Sequence, residues 1–357
     1  MIIGHGGNIY DVAHRLGVEP SDIIDMSSNL NPLGPPMGLV QHLKDHMDSI
    51  ISLPEVNSKK ITSLVSEKYG LPCESVLAGN GTTQFIYSIP RALETKNALV
   101  VGPSYADYSD ACAMNNAGCR IFITEESNGF EPDIVELRKQ IAAADTVFIC
   151  NPNNPTGVLW KNDDLYELCR SFPDTYFIID ESYLPFARDS YGESAAGFGL
   201  ANVIVLNSMS KVFRIPGLRV GFLIAPVNLI GRFEKFILPW SVNALAQAAV
   251  SYLLEHPQET GRFLEETRGF VKAEKQIFLD SLASQHAIHC YPGSVYFVLA
   301  KLKGDMKAPD VYEALLNHRV LIRNCSNFKG LDNDYVRFSL KDRETNRLLS
   351  DLLKQIL

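Results

Sequence analysis

The sequence predicts an α/β protein in which a large domain holds a mostly parallel sheet and a smaller domain is of the α+β type. Two observations indicate this class. Between about residues 97 and 223, short apolar runs alternate with segments of helical length, and continuous Val, Ile and Leu runs are typical of buried parallel strands. After Pro239 the pattern changes to long helical segments followed by separate strand-like runs. A chain of 357 residues is also longer than one ordinary core requires.

Apolar runs of strand length are expected to form the large sheet. They are Ala98 to Val101, Ile121 to Thr124, Thr146 to Cys150, Tyr176 to Ile179, Val203 to Leu206 and Val220 to Ile224. We expect helices to cover this sheet, and we expect the active site at the carboxyl ends of its strands, where the loops of neighbouring βα units meet.

Further strand-like runs predict the smaller domain. They are Ile288 to Tyr291, Val295 to Leu299, Val320 to Arg323 and Tyr335 to Ser339. Long helical segments precede them up to about Ser284, and a final helix runs to Leu357. We therefore expect an N-terminal arm at residues 1–35, the large domain at 36–240, and an interdomain helix with the small domain at 241–357.

The composition describes a globular protein and argues against several kinds of partner. Hydrophobic residues make up 46% and charged residues 21%, and the net charge is −8. Because the Lys and Arg residues are dispersed, we expect no nucleic-acid partner, and an anionic substrate would need specific arginines. We also expect no membrane segment, since no run of about 18 apolar residues occurs. Seven cysteines without metal-like spacing, and the absence of a basic leader, favour a cytoplasmic protein with reduced thiols and no metal.

A lysine that follows a predicted strand is the first candidate for chemistry. Lys211 comes shortly after Val203 to Leu206, and Asp180 and Tyr183 follow the strand that ends at Ile179. Alone, the lysine would more often be a solvated surface residue, and Asp180 a helix cap or metal ligand. Together at neighbouring strand ends, an amine, a carboxylate and a phenol are what pyridoxal 5'-phosphate (PLP) requires. The carboxylate keeps the pyridine nitrogen protonated, the phenol tunes the ring hydroxyl, and the lysine attaches the cofactor.

One turn and an aromatic residue extend this hypothesis. Asn151-Pro-Asn-Asn154-Pro-Thr-Gly157 follows a third strand and would present Asn154 rigidly, although Asn-Pro pairs are also common in plain loops. Tyr105 follows a fourth strand and could lie flat on the pyridine ring, where core packing is the competing role.

A glycine-rich turn before a predicted helix could hold the cofactor phosphate. Gly81, Thr82 and Thr83 would offer free backbone amides and hydroxyls at the start of the helix, but a simple capping turn is the more frequent explanation of such a segment. Other groups could complete the same phosphate site, namely Ser208, Ser210 and the planar guanidinium of Arg219.

These segments, in this order and spacing, resemble the fold-type I, aspartate-aminotransferase-like PLP enzymes over essentially the whole chain. Within that superfamily the chain is most similar to the threonine-phosphate decarboxylase family of cobalamin biosynthesis, and next to the histidinol-phosphate aminotransferases. Three segments carry the likeness to the decarboxylases. They are His5-Gly-Gly-Asn8, Pro239-Trp-Ser-Val-Asn243, and Leu321-Ile-Arg323 up to Gly330 ahead of Tyr335-Val-Arg337.

The resemblance implies a homodimer and a set of substrate contacts, namely His5, Gly6, Asn29, Asn154, Arg323 and Arg337. Taken alone, His5 would more often be a flexible terminal residue and each arginine a partner in a surface ion pair. One departure stands out: the family carries a Tyr-Pro pair whose tyrosine reaches the partner subunit's cofactor phosphate, and here the pair is Leu53-Pro54.

The resemblance implies decarboxylation of O-phospho-L-threonine or O-phospho-L-serine, giving (R)-1-amino-2-propanol phosphate or ethanolamine phosphate for the cobalamin nucleotide loop. The two substrates differ by one methyl group, whose pocket the sequence does not reveal. One alternative is a histidinol-phosphate-type aminotransferase. Another, of a different class, is a PLP-binding protein without turnover.

Overall fold

The computed structural model of the protein describes residues 6–187 and 193–357. Its strands, in chain order, are β1 (Ile24–Asp25), β2 (Val76–Gly79), β3 (Asn97–Gly102), β4 (Gly118–Ile123), β5 (Thr146–Cys150), β6 (Tyr176–Asp180), β7 (Val203–Ser208), β8 (Gly221–Ile224), β9 (Ile288–Tyr291), β10 (Phe297–Leu302), β11 (Val320–Leu321), β12 (Arg323–Asn324) and β13 (Tyr335–Ser339).

The helices follow the strands in the expected alternation through the first part of the chain. They are α1 (Ile9–Leu16), α2 (Met37–Asp45), α3 (Lys59–Tyr69), α4 (Gly81–Ala92), α5 (Asp107–Met114), α6 (Ile134–Ile141), α7 (Asn162–Ser171), α8 (Leu184–Ala187), α9 (Met209–Val212), α10 (Val227–Glu234), α11 (Ala244–Glu255), α12 (Pro257–Leu282), α13 (Ala308–Leu316) and α14 (Arg343–Ile356).

The largest sheet has seven strands in the order β2-β8-β7-β6-β5-β3-β4. The strands from β7 to β4 pair in parallel, whereas β8 is antiparallel to both of its neighbours. The predicted fold class, a mostly parallel sheet with helices, is therefore confirmed, and each run predicted for this sheet contributes a strand. Strand β2 was not predicted, because its apolar run is only four residues long and leads directly into a glycine-rich turn.

Burial explains why the central strands are apolar without alternation. Almost every residue of β5, β6 and β7 is buried, since helices cover both faces of the sheet. Each fully buried large side chain, such as Phe148 or Ile178, contributes about 1.5–3 kcal/mol through removal of apolar surface from water. The stable centre of the sheet is thus a rigid support for the loops at its edge.

The register of the central strands brings their carboxyl ends to one place. Cys150 at the end of β5 lies opposite Asp180 at the end of β6, and Asp180 lies opposite Leu206 in β7. The segments that leave these strands therefore start side by side.

A close approach between β8 and the turn before α4 also shapes this edge. A Cβ atom on Gly221 would lie 2.6 Å from the backbone nitrogen of Thr82 and 3.0 Å from the carbonyl carbon of Gly81. Only a glycine at position 221 lets the turn lie this close to the sheet. The same contact sets the position of the first amides of α4.

The second sheet is antiparallel, in the order β12-β13-β10-β9. Its buried side, which includes Val298 and Phe338, packs on Phe278 of α12 and Leu349 of α14. The predicted strand at Val295 to Leu299 begins two residues later, because the chain at Ser294 is held by hydrogen bonds to the carbonyl of Gly157.

The predicted strand at Val320 to Arg323 was wrong as a single element. The structure divides it into β11, which pairs in parallel with β1, and β12, which pairs with β13. The fully buried Ile322 lies between the two strands and marks the point where the chain passes from one sheet to the other. The expected domain limits at residues 35 and 240 stay a prediction.

Within residues 6–187 and 193–357, no helix is long and apolar enough to cross a membrane. In the same residues, no group of three or more His, Cys, Asp or Glu side chains could hold a metal ion. The cysteines are all free thiols.

Candidate active site

Two adjoining cavities lie at the carboxyl ends of the large sheet's strands, with volumes of about 100 and 440 Å³. Tyr105, Asn154, Tyr183 and Lys211 line both of them. The smaller, inner cavity also contains the predicted groups Gly81, Thr82, Thr83, Asp180, Ser208, Ser210 and Arg219. The larger, outer cavity also contains Gly6, Asn29, Arg323 and Arg337. The structure thus brings together the predicted site residues that it describes, and His5 lies outside the described residues.

Lys211 is held by a residue that the sequence analysis did not identify. The backbone N–H of Asn31 donates to the carbonyl of Lys211 at 3.1 Å. The side-chain amide of the fully buried Asn31 donates to the carbonyl of Val212 at 2.7 Å and to Oγ1 of Thr267 at 3.0 Å. This anchors the short helix α9 that carries the lysine. The available signal was the Asn31-Pro32 pair, which is typical of a turn.

The environment of Lys211 makes its amine a better nucleophile. Burial lowers the pKa of Lys211 to about 8, the charges of Arg219 and Arg337 act in the same direction, and Asp180 opposes them. The neutral amine, which is the reactive form, is therefore present at a useful fraction near neutral pH.

Asp180 presents a buried carboxylate to the inner cavity. Its Oδ1 accepts from the backbone N–H of Ser182 at 3.0 Å and from the Ser182 hydroxyl at 2.5 Å. Its Oδ2 accepts from the Tyr108 hydroxyl at 2.8 Å. Burial raises the pKa of Asp180, and these hydrogen bonds act against that rise. A buried carboxylate with this support is suited to hold a cationic ring nitrogen.

Tyr108 was missed as a site residue, although it lies in the segment that was examined for Tyr105. It is three residues further along, and its ring is almost fully buried against Phe148, with 5.4 Å between the ring centroids. Burial raises the pKa of the Tyr108 hydroxyl, so the hydroxyl stays protonated and remains a donor to Asp180. No motif distinguishes such a residue from an ordinary core aromatic.

Asn29 orients Tyr183 rather than facing the cavity with both ends of its amide. Its Nδ2 donates to the Tyr183 hydroxyl at 3.1 Å, and its Oδ1 accepts from the Ser339 hydroxyl at 2.6 Å. Because the Tyr183 oxygen accepts this bond, its own hydrogen is left to point elsewhere. Burial raises the pKa of Tyr183, which keeps that hydrogen in place. Only one N–H of the Asn29 side-chain amide remains for a substrate.

The inner cavity also gathers donors for an anion. Helix α4 begins at Gly81, whose φ is +71°, and a Cβ there would lie 2.8 Å from a guanidinium nitrogen of Arg219. The first amides of α4 and the hydroxyls of Thr82 and Thr83 face the same space. Ser210 donates its hydroxyl to the Val220 carbonyl at 3.3 Å, so a phosphate contact from Ser210 requires that bond to break.

The donor set of the inner cavity fits pyridoxal 5'-phosphate. A cationic and hydroxyl-rich end suits the phosphate, the carboxylate of Asp180 suits the ring nitrogen, and the phenol of Tyr183 suits the ring hydroxyl. Lys211 lines the same cavity, and its pKa is lowered. The glycine at position 81 keeps open a space that a side chain would fill.

Two arginines lie side by side on neighbouring strands of the second sheet, and both line the outer cavity. Arg323 in β12 lies directly opposite Arg337 in β13. Nη1 of Arg337 donates to Oδ1 of Asn154, and its Nη2 donates to the Ser27 carbonyl at 2.8 Å. Nε of Arg337 is buried and has no hydrogen-bond partner in the described part of the chain.

Arg323 is less firmly held than Arg337. It donates to Oδ1 of Asn327 at 2.7 Å, and its guanidinium lies 5.1 Å from the centre of the Phe328 ring. Burial lowers the pKa of Arg323 to about 10, and the nearby charge of Arg337 contributes in the same direction. Like charges opposite each other on neighbouring strands repel, and a bound anion removes this cost.

Known proteins resemble this chain over almost its whole length. A family model described as aminotransferase class I and II matches residues 21–352. The threonine-phosphate decarboxylase of Salmonella typhimurium is 31% identical over 357 residues, which cover 99% of this chain and 96% of that protein. An adenosylcobalamin biosynthesis bifunctional protein of Leptospira interrogans is 28% identical, and the chain spans 41% of that longer protein's length.

Two solved structures share the fold. The crystal structure of L-threonine-O-3-phosphate decarboxylase from Porphyromonas gingivalis has a TM-score of 0.84 and 29% identity, covering 93% of this chain and 99% of that one. The histidinol-phosphate aminotransferase from Clostridium acetobutylicum has a TM-score of 0.85 and 26% identity, covering 94% of this chain and 99% of that one. The proteins that resemble this chain therefore include both a decarboxylase and an aminotransferase.

The lowered pKa of Lys211 predicts how cofactor attachment depends on pH. An amine bonds to an aldehyde only as the neutral base, so the rate at which cofactor-free protein takes up PLP should rise with pH and level off above about pH 8. Stopped-flow measurement of the visible absorbance of the attached cofactor gives this rate. A rate that continues to climb well above that pH contradicts the lowered pKa.

Lys275 is a matched control for this assignment. Burial also lowers its pKa to about 8, but its ammonium group donates to the carbonyls of Gly293 and Val295, and it lines neither cavity. Borohydride reduction and peptide mapping should find the cofactor on Lys211. Lys211→Arg should lose the visible absorbance and Lys275→Arg should keep it, whereas label on any other lysine overturns the assignment.

Proposed function

The chain belongs to the class I and II aminotransferase family, as an enzyme with pyridoxal 5'-phosphate as its cofactor, and on this premise we propose that it decarboxylates a phosphorylated amino acid. The substrate is O-phospho-L-threonine or O-phospho-L-serine. The products are carbon dioxide and (R)-1-amino-2-propanol phosphate or ethanolamine phosphate, and the pathway served is assembly of the cobalamin nucleotide loop.

The opposed pair Arg323 and Arg337 carries this proposal. Two cations held opposite each other beside Lys211 suit a substrate with two separate anionic groups. In a phosphorylated amino acid these groups are the carboxylate and the phosphate. Arg337, fixed by Asn154 and the Ser27 carbonyl, is assigned the carboxylate. Arg323 and the backbone of Gly6 are assigned the phosphate.

The side chains around the cofactor then have distinct tasks. When bound, PLP would supply an electron sink for the bond that breaks at Cα. Asp180 would keep the ring nitrogen of the cofactor protonated, and Tyr183, oriented by Asn29, would donate to the ring hydroxyl. Asn154 keeps its amide N–H groups for the cofactor, because its oxygen is bound to Arg337.

Substrate orientation decides which bond at Cα breaks. Arg337 fixes the carboxylate, so the bond between Cα and the carboxylate carbon is held in the reacting direction and carbon dioxide leaves. Lys211, with its pKa lowered to about 8, can then deliver a proton to Cα near neutral pH. No second substrate is needed for this sequence.

Relatives of this chain support the proposal at a coarse level and also supply its main alternative. Threonine-phosphate decarboxylases of S. typhimurium and P. gingivalis support decarboxylation. Histidinol-phosphate aminotransferases are close enough in sequence and fold that transamination is the runner-up reaction. A PLP-binding protein without turnover is disfavoured, because Lys211 and Tyr183 line both the inner cavity, which holds Asp180, and the outer cavity, which holds Arg323 and Arg337.

The enzyme is also proposed to be a homodimer. A group of large apolar side chains is exposed in and around α2 and in the adjacent segment before α11, including Met37 at 93%, Ile51 at 83%, Leu53 at 75% and Leu238 at 71% exposure. These two segments lie together, since the Trp240 N–H donates to the Val56 carbonyl. A surface of this kind is typical of a subunit interface.

Leu53, which stands where the family has a tyrosine, belongs to this same exposed surface. A leucine cannot donate the hydrogen bond that the family's tyrosine gives to the partner's cofactor phosphate, so Leu53 contributes apolar contact instead. The free thiols are consistent with the cytoplasm as the proposed location, and the proposal includes no nucleic-acid partner.

The substrate assignment predicts carbon dioxide release from O-phospho-L-threonine without any keto acid. The purified holoenzyme should release one carbon dioxide for each phosphorylated amine that mass spectrometry detects. The kcat/KM values for O-phospho-L-serine and O-phospho-L-threonine should differ by about 10- to 200-fold, because one methyl group contributes about 1–3 kcal/mol in an apolar pocket. The sign of the difference identifies the preferred substrate. Amino transfer from histidinol phosphate that depends on a keto acid would move the enzyme to the runner-up reaction.

The orientation argument predicts that Arg337→Lys loses more in kcat than in KM. An ammonium group is a point charge without the planar fork that fixes the angle of a carboxylate, so kcat should fall about 100-fold. The variant should also form the pyridoxamine form of the cofactor slowly, through occasional cleavage of the Cα–H bond. Carbon dioxide release and the cofactor spectrum are recorded together.

Arg323→Lys should likewise reduce turnover, whereas Arg347→Lys is the matched control. Arg347 is 82% exposed in α14 and lies outside both cavities. Undiminished decarboxylation by the position 337 or 323 variant would refute the role assigned to that arginine.

The exposed apolar surface predicts that a charge within it separates the subunits. Ile51→Asp should convert the dimer to a monomer in sedimentation and light-scattering measurements, because burying an unpaired carboxylate is costly. Val135→Asp is the control, since Val135 is 68% exposed but lies on α6, outside this surface. A wild-type chain that is monomeric and fully active defeats the dimer proposal.

A further inference from the structure

One face of the second sheet carries the arginine pair, Arg323 and Arg337. Residues that pair directly across neighbouring strands lie on the same face of a sheet. One such row runs from Tyr291 in β9 through β10 to Arg337 in β13 and Arg323 in β12. Lys301 and Tyr335 pair in the next row of β10 and β13, two residues further along, so they lie on this face too.

A glutamate from the edge of the large sheet binds three side chains of this face. Glu126 begins a single turn of 3₁₀ helix that follows β4. Its Oε2 accepts from the Tyr335 hydroxyl at 2.9 Å and from the ammonium group of Lys301. Its Oε1 accepts from the Tyr291 hydroxyl. These four residues, which we call the Glu126 clamp, join β9, β10 and β13 to the end of β4.

The Glu126 clamp is charged at neutral pH. Burial acts to raise the pKa of Glu126, but the hydrogen bonds from Lys301, Tyr291 and Tyr335 outweigh it and lower the pKa to about 2. The bond to Glu126 in turn raises the pKa of Lys301, so this residue remains an ammonium ion. Its nitrogen also lies 5.4 Å from the centre of the Tyr335 ring, a favourable position for a cation.

The backbone that follows Glu126 adopts a costly conformation to stay in contact with the clamp. Phe130 has a φ of +63°, in the left-handed region that bulky side chains avoid. Its ring lies edge-on to Tyr291 and Tyr335, at 5.0 and 6.1 Å between ring centroids. A strained backbone persists only where the surrounding contacts hold it, and these two rings are such contacts.

A second contact holds the loop that follows Arg323 against the same edge of the large sheet. A Cβ atom on Gly330 would lie 2.8 Å from Cγ2 of Ile123, the last residue of β4. Phe328 of this loop packs in one buried cluster with Phe130 and lies under the guanidinium of Arg323. The segments that carry both arginines are thus attached to the end of β4.

We propose that the Glu126 clamp positions the arginine pair relative to Lys211. Tyr335 lies two residues before Arg337 in β13, so a bond to Tyr335 restrains the strand that places the Arg337 guanidinium. Glu126 itself lines neither cavity, and it therefore acts through the second sheet. This role rests on the proposed function, in which Arg337 sets the direction of the bond that breaks.

Glu126→Gln tests the positioning role. The amide has almost the size of the carboxylate, but it is neutral and its nitrogen accepts no hydrogen bond, so at least one of the three bonds is lost. We expect kcat for carbon dioxide release to fall about ten-fold, with a smaller change in KM, because a small shift of Arg337 disturbs orientation more than binding. The share of turnovers that end in the pyridoxamine form should rise, which lower stability alone does not cause.

A second substitution and a control show whether the clamp acts as a unit. Tyr335→Phe removes one donor to Glu126, so combining it with Glu126→Gln should reduce kcat little more than the more damaging single change does. Glu136→Gln is the matched control, since Glu136 pairs with Lys139 inside α6 and both side chains are largely exposed. Its kcat and its share of the pyridoxamine form should equal those of the wild type. Single effects that multiply in the double variant contradict the clamp.

Hydrogen exchange separates a failure of the clamp from a failure of the proposed reaction. In holoenzyme without substrate, the backbone amides of residues 323–339 should exchange faster in Glu126→Gln than in the wild type, and those of β5, β6 and β7 should be unchanged. A wild type that releases no carbon dioxide contradicts the proposed function, whereas exchange still tests the clamp. Wild-type exchange in the variant overturns the clamp. Faster exchange with an unchanged share of the pyridoxamine form makes Glu126 a purely structural contact and overturns the positioning role.

Discussion

The common register of β5, β6 and β7 is the constraint on which the site depends. Asp180 lies opposite Cys150 on one side and Leu206 on the other, so the segments that carry Asn154, Asp180 and Lys211 leave the sheet together. A shift of one residue in any of these strands would turn its side chains to the opposite face and separate the carboxylate from the amine. Burial of the three strands on both faces makes such a shift very costly.

The site concentrates charge that the protein alone does not neutralise. Burial lowers the pKa of Lys211 and raises that of Asp180, and Arg323 and Arg337 repel each other across one strand pair. Each of these arrangements makes the ligand-free fold less stable than a neutral site would. Since a bound cofactor, and an anion beside the two arginines, would remove these costs, binding would be coupled to folding at this edge of the sheet.

The sequence was sufficient to predict the strands that are apolar throughout. It failed where the path of the backbone determines where a strand begins or ends. The central strands could be predicted from long apolar runs, because both faces of these strands are buried. Strand β4 begins three residues before the predicted run, since an edge strand can pair through its backbone at Gly118 without apolar side chains. Ile322 looked like the middle of a strand, whereas the chain there passes between two sheets.

Lys211, Asp180, Asn154 and Tyr105 were recognisable as a set because each follows a predicted strand, and the substrate contacts came from the family resemblance. The supporting residues had neither signal. Asn31 acts through backbone carbonyls, and Tyr108 acts through a single hydrogen bond to Asp180, so neither has a sequence pattern of its own. The role of Asn29 could not be separated from direct substrate contact before its bonds to Tyr183 and Ser339 were known.

The pairing of β1 with β11 gives the start of the chain an unexpected attachment. Met26 accepts from the Ser339 N–H and donates to the Leu321 carbonyl, so residues 24–29 are joined to the second sheet although they precede the first one in sequence. Ser27, Arg323 and Arg337 are consequently attached to the second sheet, whereas Asp180 and Lys211 follow strands of the first. A ligand in the outer cavity would therefore contact groups from both sheets, which the hydrogen bond from Arg337 to Asn154 already ties together.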